Sequence, residues 1–236
     1  MKKIFLLFFT FISFLEANTQ TNLFDELLQT HVSKDGIVDY KSFKKDLPKL
    51  QKYISYLQKT TLDNSWYDNK KKAFWINAYN AYTIKLILKN HPLKSIIDIK
   101  QKEKSAWEIP FSKIGGEIYT LDEIEHKILR KQLFDARIHV GVNCASISCP
   151  KLERSAFTED NIEKKLSSLM KSFINDSSRN KISSNEIQIS EIFKWFKDDF
   201  TKESSLIDYL NKYSEVEINS NTKISYLKYN WSLNGK

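Results

Sequence analysis

The sequence predicts an α+β domain, helix-rich and packed around a small, mainly antiparallel sheet. Three observations lead there. The run Lys72–Leu88, KAFWINAYNAYTIKLIL, holds no Gly or Pro and is apolar almost all the way round a helix. That pattern marks a central, buried helix over about residues 71–89. Short extended stretches surround it, one of them bent at Gly115-Gly116 with the spacing of a hairpin. Amphipathic helices fill most of the rest, with no internal repeat and no low-complexity tract.

Taken in order, Met1–Ala17 has the form of a secretory signal. Lys2 and Lys3 precede the apolar Ile4–Leu15, and Ala17 offers a small residue at the cut. The apolar part is too short for an ordinary membrane span, and a retained anchor is the alternative. Leu23–His31 reads as a short amphipathic helix, followed by a turn at Asp35-Gly36 and an extended piece to Tyr40. Ser42 is placed to cap a helix running to about Lys59, with Leu47, Leu50, Tyr53, Ile54 and Leu57 facing inward and Pro48 near its start. The central helix ends at His91-Pro92, because the residue before Pro avoids helical geometry. Ala106–Phe111 and Glu117–Leu121 flank the Gly115-Gly116 turn as hairpin strands. Thr120 and Glu123 form a T-x-x-E capping box for a helix to about Phe134, with Leu121, Ile124, Ile128, Leu129 and Leu133 as its inner stripe. Ala136–Asn143 is the strongest strand pattern. Thr158 caps a helix to about Ile174, and Lys181–Ile189 holds two extended pieces around Ser184-Asn185. Short helices over Glu191–Phe196 and Ser204–Tyr213 and a closing strand over Ile224–Trp231 complete the chain.

Composition narrows the function. The 236 residues carry a net charge of +8, with Lys spread along the chain rather than clustered. This describes a solvated basic surface, and without a basic stripe or a recognition motif it excludes a nucleic-acid partner. A hydrophobic content of 41% is enough for a real core. Cys144 and Cys149 are the only cysteines, and four residues separate them. That is neither the C-x-x-C redox signature nor a zinc ligand set, and nothing calls for a metal or a cofactor.

Candidate chemistry gathers around the middle of the chain. Asn77 and Asn80 lie on one face of the central helix and need partners once buried. They either tether neighbouring loops or line a polar pocket. Glu125 borders the inner stripe of its helix. It either pairs with an Arg such as Arg130 or Arg137, or serves as a general acid–base. Cys144 has three readings: a disulfide with Cys149, a buried structural thiol, or a reactive thiol. On a straight strand His139 and Cys144 point to opposite faces, which leaves His126 as the other candidate base, with His91 and His31 more remote. Trp75, Trp107, Trp195 and Trp231 read as core residues. The small polar loop Ser146–Ser148 either shapes a turn or offers donors to an anion.

These runs resemble a known family. AFWINAYNA, IYTLDEIEHKILR and RIHVGVNCASISCPKL, in that order, are similar to the DUF547 family, a domain of unknown function. DGIVDY and YLKYNWSLN resemble flanking features of its exported bacterial members. The resemblance runs from Leu23 to Asn234 and implies a single domain over 18–236, with an N-terminal helical extension over about 18–60. Trp75, Asn77, Tyr79, Asn80, Glu125, Arg130 and Cys144 match its motif positions, and Cys149-Pro150 matches its bacterial form. Plant relatives can carry Ser in place of the second Cys, so Cys144 is the better candidate for a shared role. The family implies no settled activity.

The combined expectation is an exported, periplasmic domain with no membrane span after processing. Asn77, Asn80, Glu125, Arg130, His139 and Cys144 are expected to share a pocket for a small molecule or peptide. Three function classes compete. A thiol-dependent hydrolase or acyl transferase would use Cys144 as nucleophile and His126 or His139 as base. A non-catalytic binding module would keep a structural Cys144–Cys149 disulfide. A redox partner would cycle both cysteines.

Overall fold

The computed structural model describes residues 20–235. The expected leader over Met1–Ala17 lies outside them. A helix through residues 20–31 (α1) leads into α2 (Tyr40–Phe43), α3 (Leu47–Lys59) and the central α4 (Asp68–Asn90). Among the described residues no helix is long and apolar enough to cross a membrane.

α4 is buried along nearly its whole length from Lys72 to Leu88, as its all-round apolar pattern requires. Even Lys72 is buried, its ammonium held 3.2 Å from both Asp135 and Glu163. α3 packs along α4 and begins with Pro48 in its first turn, where a missing N–H costs nothing. The cap expected from Ser42 belongs instead to Asp39. Its carboxylate accepts from the Ser42 N–H at 2.8 Å and opens α2. The Phe24 ring of α1 stacks on Tyr53 of α3 at 4.6 Å, so the N-terminal extension is fused to the core.

Among the described residues, three small sheets decorate this helical frame. β1 (Lys100–Gln101) pairs with β2 (Lys104–Ser105), and β3 (Ser112–Ile114) with β4 (Glu117–Tyr119), both antiparallel. Gly115 and Gly116 turn the second hairpin with φ of +59° and +93°, values that favour glycine. The hairpin is shorter than expected, because Ala106–Phe111 forms no strand. The third sheet runs β5 (Lys181–Ile182), β6 (Glu186–Ser190), β7 (Lys223–Leu227). β5–β6 is antiparallel, and β6–β7 is parallel. Between β6 and β7 the chain crosses over through α7 (Ile192–Trp195), α8 (Lys197–Phe200) and α9 (Leu206–Asn211).

The Thr120–Glu123 box closes in both directions. The Glu123 N–H donates to Thr120 Oγ1 and the Thr120 N–H to Glu123 Oε2, each at 3.0 Å. The helix it opens is a π-helix over Glu123–Gln132, with Leu133 N–H reaching back five residues to Ile128. Such segments are uncommon and recur at functional sites.

The expected strand over Ala136–Asn143 is instead a helical turn, α5 (Ile138–Gly141), followed by extended Val142. Its β-branched residues favour a strand, but local and tertiary contacts override them. Asp135 accepts from the Arg137 N–H at 2.9 Å and starts the turn. Gly141 lets it lie against α4 and α6 (Ile162–Ile174), since a Cβ there would sit 3.0 Å from the tips of Ile76 and Leu166. Gly141→Ala is therefore expected to cost about 1 kcal/mol in chemical denaturation, crowding outweighing the gain in helix propensity. Equal or greater stability would mean that α5 is not closely packed.

Residues 228–235 thread back through the fold as a strap. Ile147 N–H donates to the Ser232 carbonyl at 2.8 Å, Asn234 N–H to Ala145 at 3.0 Å, and Val38 N–H to Asn234 at 2.9 Å. The strap thus ties the loop after α5 to the N-terminal extension.

Candidate functional site

α4, the π-helix, the loop after α5, α7 and the strap meet around a cavity of about 190 Å³. Tyr79 comes from α4, and Asp122, Glu125 and His126 come from the π-helix and its first turn. His139, Val142, Cys144 and Cys149 come from α5 and the loop behind it. Ile192, Trp195 and Phe196 come from α7 and its end, Tyr229 and Trp231 from the strap, and Trp107 from the loop before β3.

The loop carrying Cys144 is built by asparagines. Asn80 accepts from the Asn143 N–H and donates to the Gly141 carbonyl, both at 2.9 Å. Asn143 in turn accepts from the Ala145 N–H at 2.9 Å and from Asn234 Nδ2 at 3.1 Å. These bonds hold Ala145 at φ +58°, a conformation that L residues adopt at a cost of about 1–2 kcal/mol. Asn77 makes the same two-way bond to the backbone of Phe157, at 2.7 and 2.9 Å. Both amides are loop tethers. Neither lines the cavity, so the expected pocket shared by Asn77, Asn80 and the thiol is not what the fold builds.

Cys144 and Cys149 are free thiols, so of the three readings of Cys144 the disulfide is not formed. Cys149 Sγ accepts from the Cys144 N–H at 3.2 Å, and Cys144 Sγ lies 3.1 Å from Ser146 Oγ and 3.3 Å from Tyr229 Oη. Those two hydroxyls are themselves 2.9 Å apart. Hydrogen bonding from Cys149, opposed by burial and aided by Ser146 and Tyr229, brings the Cys144 thiol down from 9.0 to about 7. Burial pushes the Cys149 thiol and the Tyr229 hydroxyl well up, so both keep their protons and remain donors.

Behind the cavity sits a charged relay. Arg130 grips Asp199 of α8 through Nε at 2.6 Å and Nη2 at 3.1 Å. His139 Nε2 lies 2.8 Å from the same carboxylate, and its ring stacks on Phe196 at 4.0 Å. A carboxylate only accepts, so Nε2 carries the hydrogen and Nδ1 is left free, 4.0 Å from Glu125 Oε1. Burial lowers the His139 pKa, against the pull of Asp199, and favours the neutral ring. Burial works to raise Asp199, yet His139 and Arg130 hold it well below the usual carboxylate range. Among the described residues Glu125 forms no ion pair with Arg130 or Arg137, although the Arg130 charge acts on it. Burial raises its pKa, and the Tyr79 hydroxyl is its hydrogen-bond partner. Arg137 is engaged by Asp135 and Glu163 instead. His126 Nδ1 lies 3.2 Å from Arg130 Nη1, and its Nε2 3.6 Å from Asp122.

The helical turn thus corrects the strand-based separation of His139 from Cys144, since both line one cavity. Among the described residues no hydrogen bond joins them. Trp75 is core, but Trp107, Trp195 and Trp231 line the cavity, and Trp195 is 44% exposed. Sequence reasoning missed Asp199 and Tyr229. The strap motif YLKYNWSLN was a signal for Tyr229, whereas Asp199 in KDDF reads as ordinary surface. Among the described residues no group of three or more His, Cys, Asp or Glu side chains converges to hold a metal.

No curated protein and no solved structure matches the chain. The aromatic wall from α7 and the strap, and Asp199 behind it, lie beyond the segment matched by a family model. That segment, residues 64–174, carries α4, the π-helix and Cys144, and matches the family described as "Protein of unknown function, DUF547", which supports the family that the sequence resembles.

Proposed function

We propose that this is an exported, periplasmic protein whose Cys144 cavity is a thiol-dependent site, a hydrolase or acyl transferase for a small molecule or peptide. The export part rests on the charged start and apolar run of residues 1–17. The chemical part rests on one observation: Cys144 Sγ lines the cavity among Cys149, Ser146 and Tyr229, donors that favour its thiolate near neutral pH. In this reading the sulfur bonds to an acyl carbon, and His139, neutral with Nδ1 free, takes up the thiol proton across the cavity. Collapse of the tetrahedral adduct breaks the bond to the leaving group, which receives that proton. Water or an amine then cleaves the thioester, its proton passes through His139 to the departing sulfur, and the Cys144 thiol is restored. Asp199 fixes the tautomer that leaves Nδ1 available.

Alkylation by iodoacetamide tests this. The rate at Cys144 is expected to titrate with a midpoint near 7, and Tyr229→Phe is expected to move that midpoint upward by removing one donor. Hydrolysis of a small thioester by the purified chain should vanish in Cys144→Ala. A midpoint near that of an ordinary thiol, about 8.5, or a Cys144–Cys149 bridge in unreduced protein, would overturn the reading.

A further inference from the structure

The cavity has a charge pattern that the thiol chemistry does not use. Asp122 and Glu125 line it together with His126 and His139, yet among the described residues no Lys or Arg does. Arg130, the nearest arginine of the relay, is committed to Asp199 on the far side of the His139 ring. Much of the remaining lining is aromatic. Trp195 stacks on Trp231 at 5.8 Å, Tyr229 lies 4.5 Å from Trp231, and Trp107 meets Trp231 edge-on at 5.8 Å.

We infer that the cavity holds an alkylammonium group, such as a lysine side chain or a small primary amine, between the carboxylates and the aromatic faces. This rests on the Cys144 cavity being the working site and names the substrate class for it. Ring faces attract cations through their quadrupoles, and the attraction grows when the cation is desolvated. A volume of about 190 Å³ is below the usual size of a drug-like site and suits one aliphatic arm with its head group. Burial raises the pKa of both Asp122 and Glu125 by more than the neighbouring His126 lowers it, and an ammonium ion seated in the cavity would add further counter-charge. Neutral sugars also favour aromatic walls, but they need paired donors and acceptors. The two carboxylates here offer acceptors beyond the Tyr79 hydroxyl at Glu125 and His126 at Asp122, and Ser146 and Tyr229 are engaged with each other.

The test uses the full chain and follows two signals, tryptophan fluorescence and the iodoacetamide rate at Cys144. n-Butylammonium is expected to change the fluorescence saturably and to protect Cys144, whereas n-butanol and butyrate at equal concentration do neither. Nα-acetyl-lysine amide is the peptide-borne arm. Tighter binding than n-butylammonium identifies a lysine side chain as the source, and weaker binding a free amine. Glu125→Gln is expected to weaken binding by about tenfold, and the more exposed Asp122→Asn, which spares the buried position, by about threefold. Equal binding of n-butanol, or unchanged affinity in both variants, would overturn the assignment. The two readings fail separately. Ammonium binding beside a Cys144 that alkylates like an ordinary thiol would sink only the thiol chemistry. A fast-alkylating Cys144 that no ammonium protects would sink only the cation site.

Discussion

Replacing Asp199 with alanine is expected to destabilise the protein by about 3 kcal/mol, because breaking a buried pair strands the partner charge. Three elements meet at this carboxylate: Arg130 from the π-helix, His139 from α5, and Asp199 itself from α8. Alanine would leave a mostly covered guanidinium facing the Phe196 ring and a buried imidazole N–H without an acceptor. Asp199→Asn keeps the shape and one acceptor, so about half of that loss is expected. The pH dependence carries the sign. A carboxyl held below its ordinary pKa gives stability that is complete above the unfolded value near 4 and drains away as pH falls through it. The gap between wild type and Asp199→Asn should stay constant from about pH 5 upward and narrow below about pH 4. His139 adds an earlier step in the same direction. Its pKa is lowered in the fold, so acidification below about 6.5 protonates the unfolded chain first and weakens the native state. Urea denaturation of both proteins between pH 3 and pH 8 measures all of this. A gap that does not narrow in acid would show that Asp199 is not ionised in its pair.

Physical locality explains which parts of this architecture could be read from the residues alone. The buried rod α4 declares itself through a run with no polar face, and its observed span is Asp68–Asn90 against an expected 71–89. The Thr120–Glu123 box and the Gly115-Gly116 turn depend on residues within four positions of each other, and both form as expected. The π register of the helix after that box has no such local signal. α5 goes further. Ile138, Val140 and Val142 prefer a strand, and only the Asp135 cap, the Gly141 contact and the Asn80 tether make the segment turn. Two of those three come from distant chain. The same division runs through the site. Glu125, His126, His139 and Cys144 were visible as chemistry, but Tyr229, which meets the Cys144 sulfur, and Asp199, which holds the His139 ring, arrive from 85 and 60 residues away.

The Asn80 tether leads to the second large effect. Asn80→Ala is expected to cost about 3 kcal/mol, because it orphans a buried N–H at Asn143 and a carbonyl at Gly141, each worth about 1–3 kcal/mol when left unpaired. Asn77→Ala makes an equivalent pair of orphans at Phe157, and a similar loss of stability is expected. The two variants should nonetheless part company at the thiol. Gly141–Asn143 leads straight into Cys144, and Asn143 also holds Ala145 in its left-handed conformation. Freeing that segment loosens the sulfur from Ser146 and Tyr229, the contacts that help bring its pKa to about 7. The midpoint of iodoacetamide alkylation should therefore rise in Asn80→Ala and stay near the wild-type value in Asn77→Ala. Asn80→Asp sharpens the comparison. It keeps the acceptor for Asn143 but sets a carboxylate oxygen against the Gly141 carbonyl, so its stability should fall further as pH rises and the group ionises. Two asparagine variants of matched instability but different thiol titration would identify Asn80 as a positioning residue. Identical alkylation profiles would reduce it to a tether like its neighbour, with Cys144 held by the strap alone.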